Sequence, residues 1–460
     1  MLALQDSIVA ISTPAGSGAL GVIRLSGPQS VEIVNQVFSK DLSQAPGYSL
    51  HFGQIKREAE VLDEVVLSVF RAPRSFTKED TVEISCHGSS FILREVMLLL
   101  VEKGARLAEP GEFTQRAFLH GAMDLAQAEA VADLIAASSA GAHRVAMQQM
   151  RGGISKELSH LRSQLLDFTS LIELELDFGE EDVEFADRSQ LEALISQMLT
   201  QTESLISSFR LGNALKQGIP TVILGKPNAG KSTLLNALLQ DNRAIVSNIP
   251  GTTRDVIEDR VIIQGVEFRL MDTAGVRETT DVIEAEGVRR SLALAEQASL
   301  LLYLFDCQTE TPAEAEAYLQ HLDLPDSVSI LSLANKADTL PDSEAYTQAH
   351  TAATTYPWLL LSAQQQTQLD ALKALMLEQV AQLGDHQTSQ PLVSNLRHLH
   401  ALQKAQAALL EVQQGLANGL TGDLLSIDIR TVLHYIGEIT GEISTDEVLG
   451  NIFGKFCIGK

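Results

Sequence analysis

The stretch GKPNAGKST, residues 225–233, fits the spacing G-x-x-x-x-G-K-[ST], with Gly225, Gly230, Lys231 and Ser232 at the fixed positions. Glycines so spaced let backbone N–H groups curl round phosphate oxygens. The lysine reaches the terminal phosphates, and the serine hydroxyl ligates Mg2+. Asn228, Ala229, Gly230, Lys231, Ser232 and Thr233 are therefore candidate nucleotide contacts. The spacing alone is permissive, but an apolar run before it (TVIL) and a helical run after it (STLLNALL) supply the context that such a loop needs.

Four further signals follow in the order that a guanine-nucleotide domain requires. GTTRD at 251–255 offers Thr253 as a second Mg2+ ligand on a switch loop. DTAG at 272–275 follows the strand EFRLM, which places Asp272 near the metal, Thr273 and Ala274 in the turn, and the Gly275 N–H toward a γ-phosphate. NKAD at 335–338 supplies Asn335, Lys336 and Asp338; the Asp338 carboxylate can accept two hydrogen bonds from guanine N1 and N2, which adenine cannot donate in that arrangement. Ser362, Ala363 and Gln364 end a strand where a backbone N–H can meet guanine O6. Five such signals, each at a strand end, read as a GTP-binding domain.

The hydrolysis machinery departs from the Ras-like pattern. Many such proteins place a water-orienting glutamine directly after D-x-x-G, and here that residue is Val276. Another group must hold the water. Glu284, in the acidic segment RETTDVIEAEG, is the candidate, and the Asn228 amide oxygen suits a monovalent cation standing in for an arginine finger.

The elements that must position these residues fall into four textures. Residues 1–120 alternate short β-branched runs (SIVAIS, LGVIRLSG, VVLSVF, TVEISC) with turn signals and one helical stretch, SSFILREVMLLLVEKGA. Residues 121–216 show helical spacing, interrupted by ELELDFGEEDVEFAD, which reads as a solvated helix end and loop. Residues 217–378 alternate strands and helices as in a doubly wound α/β domain. Helical spacing returns over 379–460. The expected fold is thus α/β and all-α multidomain: a small N-terminal α/β domain and a discontinuous helical domain, with a Ras-like P-loop G domain inserted between its parts.

Composition narrows the function classes. With 460 residues, 45% hydrophobic and 20% charged, the chain reads as a soluble globular protein of about three domains. Three cysteines (Cys86, Cys307, Cys457) without paired spacing argue against disulfides or a zinc ribbon and for a reducing, cytoplasmic setting. MLALQDSIVA carries Asp6 where an export signal needs apolar residues, so no such signal is expected. No apolar run approaches a membrane span. A net charge of −25 (34 basic, 59 acidic residues) disfavours broad electrostatic binding to nucleic acid.

The chain as a whole resembles the MnmE (TrmE) family of tRNA-modification GTPases. DSIVAISTPAGSGALGVIRLSG, PGEFTQRAFLHGAMDLAQAEAVADLI, the GKPNAGKST, GTTRD and DTAG series and the terminal CIGK carry the resemblance, and the outer stretches are not shared with other GTPases. The resemblance implies a homodimer that acts with the FAD-dependent partner MnmG on tRNA. The pair attaches aminomethyl or carboxymethylaminomethyl groups to C5 of wobble uridine 34, with one carbon from 5-formyl- or methylene-tetrahydrofolate. It also implies K+-dependent hydrolysis of GTP to GDP and phosphate, with Glu284 as catalytic residue, Asn228 as K+ ligand, and Ser247, Ile249 and Thr252 completing the ion's shell. The N-terminal domain would dimerise and bind folate through Arg24 and Glu83, with Lys460 approaching the same site. Two positions depart from the pattern: Ala122 stands where a folate-contacting lysine is usual, and Gln364 where lysine or arginine is common.

Two other readings are weaker. An Era- or Der-like ribosome-assembly GTPase would carry a KH-type RNA module, but no G-x-x-G between basic flanks stands outside the G domain. A membrane-associated GTPase would use Cys457 as a lipid anchor; Gly459, Lys460 and the absence of a preceding polybasic segment oppose that. By spacing alone Cys457 reads as a small buried hydrophobe. The resemblance relocates the tail toward the folate pocket, where the Cys457 thiol is a candidate for covalent chemistry.

Overall fold

The computed structural model describes residues 5–177, 188–240, 258–271, 294–322, 324–325, 328–350, 354–382 and 391–459. The chain divides into two compact units, one of Met1–Ala132, Gln149–Leu194 and Ala407–Lys460, the other of Asp133–Gln148 and Ile195–Gln406.

The first unit is built on a six-stranded sheet of order β3-β4-β5-β2-β1-β6. Its strands are β1 (Ile8–Ile11), β2 (Leu20–Ser26), β3 (Ser49–Arg57), β4 (Glu60–Phe70), β5 (Thr81–His87) and β6 (Arg106–Leu107). Every pairing is antiparallel except β1 with β6. Period-two alternation puts Ile23, Leu25, Val65, Leu67, Val69, Val82 and Ile84 on one face, where they pack with Leu93, Val96, Leu99 and Leu100 of the helix Ser90–Glu102. β3 shows how a strand hides in a sequence. Gly53 interrupts its alternation because the Phe38 ring lies where a Cβ would stand, and the register shifts between Ile55 and Lys56.

The opposite face of that sheet carries Ile8, Ala10 and Phe113 beside a buried polar network. Arg116, fully buried, pairs with Glu112 at 3.0 Å, Glu79 at 3.1 Å and Asp6. Arg106 reaches Asp6 at 2.7 Å and Glu112, and Ser26 Oγ donates to Glu79 at 2.7 Å. Burial alone would raise the Asp6 and Glu112 carboxyls; hydrogen bonds from Arg106 and Arg116 outweigh it and hold both below their ordinary values. In the same unit the helices Gly153–Asp177 and Gly422–Thr440 pack along each other. Buried along them at helical spacing are Leu158, Leu161 and Leu165 on one and Leu425, Ile429, Val432 and Ile436 on the other.

The second unit holds a sheet of order β12-β11-β10-β7-β9-β8. Its strands are β7 (Ile219–Leu224), β8 (Glu258–Ile263), β9 (Val266–Met271), β10 (Leu300–Asp306), β11 (Ser329–Asn335) and β12 (Trp358–Leu360). All neighbours are parallel except β8 and β9, an antiparallel hairpin. Parallel strands buried on both faces read as continuous apolar runs, and LLLYLF in β10 is buried throughout. One face packs on helices Lys231–Gln240 and Leu369–Ala381 through Leu234, Leu238, Leu372 and Met376; the other packs on Ala315 and Leu319 of helix Pro312–Gln320. The multidomain α/β and helical architecture matches the coarse class expected.

Candidate functional site

In an open parallel sheet, ligands bind beyond the C-terminal strand ends, where the winding direction reverses. β7, central in its sheet with β10 and β9 on either side, ends there and runs into residues 225–230 before the helix Lys231–Gln240. Two features shape that loop. Asn228 takes a positive φ of 63°, and Gly230, at φ +101°, has the Asn335 Nδ2 atom 2.3 Å from where a Cβ would lie. No side chain fits at position 230 while Asn335 holds its place. Lys231 Nζ donates to the carbonyls of Gly225 at 2.8 Å and Lys226 at 3.0 Å, and burial pushes its ammonium below the ordinary lysine value. Ser232 and Thr233 stand exposed in the helix's first turn, hydroxyl groups suited to a hard cation.

The loops after β11 and β12 close on this one. Asn335, almost wholly buried, donates through Nδ2 to the Ala229 carbonyl at 2.7 Å. Its Oδ1 accepts the Ala363 N–H at 2.9 Å. One side chain thus ties 225–233, 335–338 and 362–364 together. Asp338, exposed, accepts a hydrogen bond from Ser362 Oγ, which also accepts the Gln365 N–H. Lys336, at φ +68°, extends its ammonium to Asp306 Oδ2 at 2.7 Å. Burial would raise the Asp306 carboxyl, but the hydrogen bond from Lys336 prevails and holds it low. Ser362 N–H is engaged with Thr367 and Ala363 N–H with Asn335, so among these three the Gln364 N–H is the one left for an outside acceptor.

Ser247, Ile249, Thr252, Thr253, Asp272, Thr273, Ala274, Gly275, Val276 and Glu284 lie outside the described residues, as does Lys460.

In the first unit, Arg24 and Glu83 face each other across the β2–β5 pairing, with Arg24 Nη2 and Glu83 Oε1 at 2.8 Å. The Arg24 guanidinium lies 5.5 Å from the Phe76 ring centroid and 5.7 Å from that of Phe113, contacts that attract a cation to aromatic faces. The tail comes to the end of β1. Ser12 Oγ donates to the Gly459 carbonyl at 3.2 Å, Gly459 approaches the Ile11 carbonyl too closely for any Cβ, and the Gly111 N–H points to the Cys457 carbonyl at 3.5 Å. Ala122 sits in the turn after helix Glu112–Leu119, beside Gly121, whose carbonyl accepts from Lys78 Nζ at 2.6 Å. Cys457 is exposed, which corrects the reading by spacing: a tail resting on backbone contacts leaves its thiol in solvent. Burial raises the other two thiols, Cys86 to about 12 and Cys307 to about 11.

Sequence reasoning passed over Phe76, Phe113 and Asp306. No motif marks the two phenylalanines; the alternation of β2 shows that Arg24 lies off the apolar core face but not what meets it there. Asp306, closing the apolar run of β10, carried a usable signal, a charge at a parallel strand's C-terminal end.

A family model described as the MnmE helical domain matches residues 125–457, and one described as the GTP-binding protein TrmE N-terminus matches residues 7–122. The tRNA modification GTPase MnmE of Cytophaga hutchinsonii is 52% identical over 456 residues, covering 99% of this chain and 98% of that one. The chain belongs to the MnmE family. The MnmE proteins of Christiangramia forsetii and Bacteroides thetaiotaomicron are 49% and 48% identical, each alignment covering 99% of this chain and 100% of the relative. A crystal structure of Era with MgGDPNP and nucleotides 1506–1542 of 16S ribosomal RNA overlaps 41% of this chain and 65% of its own at 26% identity. Its TM-score is 0.28. Among the described residues, no helix is long and apolar enough to cross a membrane.

Proposed function

We propose that this MnmE-family chain is a cytoplasmic, K+-dependent GTP hydrolase. With the FAD-dependent partner MnmG, it installs (carboxymethyl)aminomethyl groups at C5 of wobble uridine 34 of tRNA, drawing a one-carbon unit from tetrahydrofolate. The observation that carries the reading is the Asn335 clip joining phosphate loop and guanine loop, in a chain aligned with MnmE relatives over 99% of its length.

Lys231 and the N–H groups of 228–233 bind the phosphates; Asp338 reads the guanine edge, with the Gln364 N–H available to O6. Ser232, with Thr253, holds Mg2+. Asn228, with Ser247, Ile249 and Thr252, would hold K+, which would supply positive charge to offset that developing on the phosphates. Glu284 orients water in place of the glutamine that Val276 replaces. In the domain reading, 1–120 binds folate and dimerises, 121–216 and 379–460 form the helical domain, and 217–378 is the G domain. Arg24, steadied by Glu83 and the rings of Phe76 and Phe113, and the tail bearing Cys457 and Lys460 hold the tetrahydrofolate derivative. Homodimerisation draws support from the outer face of the β3–β4 ribbon. Leu50 is 71% and Phe52 59% exposed there, beside Val66, an apolar surface fit for a second copy.

Steady-state GTP hydrolysis with K+ exchanged for Na+ tests the reading. A strong slowing in Na+ is expected, and equal rates in the two ions would remove Asn228 from its role. Glu284→Ala should abolish most hydrolysis with GTP affinity nearly unchanged, because the group acts in the transition state.

A further inference from the structure

Glu310, in the turn after β10, is 4% exposed. Its Oε1 accepts the Tyr303 hydroxyl at 3.1 Å. Its other oxygen, Oε2, has the Lys226 ammonium 2.9 Å away. Among the described residues no other cation pairs with this carboxylate. A buried carboxylate left without its counter-charge is strongly unfavourable. Tyr303 donates one hydrogen bond to this carboxylate but carries no positive charge, so it cannot replace Lys226 as its counter-charge. An ordinary exposed ion pair contributes little; here one partner is buried and depends on the other.

Lys226 occupies the first variable position of the phosphate-loop motif, to which the motif assigns nothing. Its backbone is tied into the loop at two points. The Lys226 carbonyl accepts from Lys231 Nζ at 3.0 Å and from the Ala229 N–H at 3.3 Å. The side chain therefore ties to Glu310 the same residue whose carbonyl meets Lys231.

We infer that Lys226 and Glu310 form a positioning pair that fixes the phosphate loop and acts on the nucleotide through Lys231. The inference rests on the GTPase reading and names residues that the reading does not use. Lys231 meets phosphates in ground and transition states alike, so loss of the pair raises KM with little change in kcat.

The test measures KM and kcat for GTP, with the thermal midpoint of each protein, in full-length wild type, Lys226→Ala, Lys226→Arg, Glu310→Gln and the double variant Lys226→Ala/Glu310→Gln. Expected are a KM raised about ten-fold in Lys226→Ala, a similar rise in Glu310→Gln, and near-wild-type KM in Lys226→Arg. The double variant should show no loss beyond either single one, the mark of two residues acting as a unit. An unchanged KM in Lys226→Ala and Glu310→Gln overturns the inference, and so does a fall in midpoint and active fraction with KM untouched. Should Lys226→Ala fail to fold, Lys226→Arg and Glu310→Gln still decide the matter. A wild-type chain that hydrolyses no GTP in K+ removes the GTPase reading itself, an outcome distinct from equal KM values across active variants.

Discussion

Asn335 donates through Nδ2 to the carbonyl of Ala229, 106 residues away in sequence, at 2.7 Å. That bond, with the Oδ1 contact to Ala363 N–H, makes the geometry of the phosphate loop depend on the guanine loop. Asn335→Ala leaves two buried backbone groups unpaired, at a cost of about 1–3 kcal/mol. Expressed in binding, GDP affinity should fall roughly ten- to a hundred-fold, read by calorimetric titration. Unchanged affinity would show the clip to be incidental.

Base choice should follow Asp338. A carboxylate accepts from both N1–H and N2–H of guanine, whereas an amide presents one acceptor and one donor. Asp338→Asn should weaken GTP binding by roughly a hundred-fold or more and improve binding of xanthosine triphosphate. Competition between the two nucleotides reads this directly; a variant that keeps its preference for GTP places the guanine elsewhere.

Acid should loosen the first unit. Asp6 and Glu112 carry carboxyls held below their ordinary values of 3.8 and 4.5. Groups depressed by folding contribute stability above those values and lose it as pH falls through the folded ones. Stability should therefore decline with a growing slope below about pH 4.5, followed by chemical denaturation across pH 3–7. Arg116→Ala, which strands Glu79 in the interior and leaves Glu112 to Arg106 alone, should cost about 3–5 kcal/mol at neutral pH. A flat pH profile would mean that the network is not coupled to folding.

Thiol reactivity separates the three cysteines. Cys86 and Cys307 are buried with raised pKa values, and Cys457 is exposed. Native protein near pH 8 should take up one alkylating group per chain, at Cys457, with the other two reacting on unfolding. Rapid labelling of Cys86 or Cys307 would contradict the packing. Cys457→Ser that retains full tRNA modification would end the case for covalent chemistry at the thiol while leaving the tail's placement intact.

What the sequence made legible, and what it did not, follows from the range of the interactions. The phosphate loop is local: strand, turn and helix within about twenty residues, with chemistry written into Gly225, Gly230 and Lys231. The parallel strands announced themselves as continuous apolar runs because both their faces are covered. The link from Asn335 to Ala229 could not be read, since it joins distant segments through a strand order that motifs do not encode. Lys226 and Glu310 escaped for the same reason. The rings around Arg24 come from a loop and a helix that only the folded sheet brings together, and β3 was lost to a glycine that its neighbour requires. The exposed Cys457 shows the limit of reasoning from residue type, because burial of so small a side chain depends on a tail path that no local pattern specifies.

The most direct measurement is nucleoside mass spectrometry of tRNA from a bacterial strain lacking its own MnmE, in which this chain is produced together with the MnmG of its source. Wild-type chain should restore (carboxymethyl)aminomethyl groups at wobble uridine 34, and Glu284→Ala should leave that uridine without them. Wobble uridines that stay unmodified with the wild-type chain present, or full restoration by Glu284→Ala, would contradict a GTPase that drives tRNA modification.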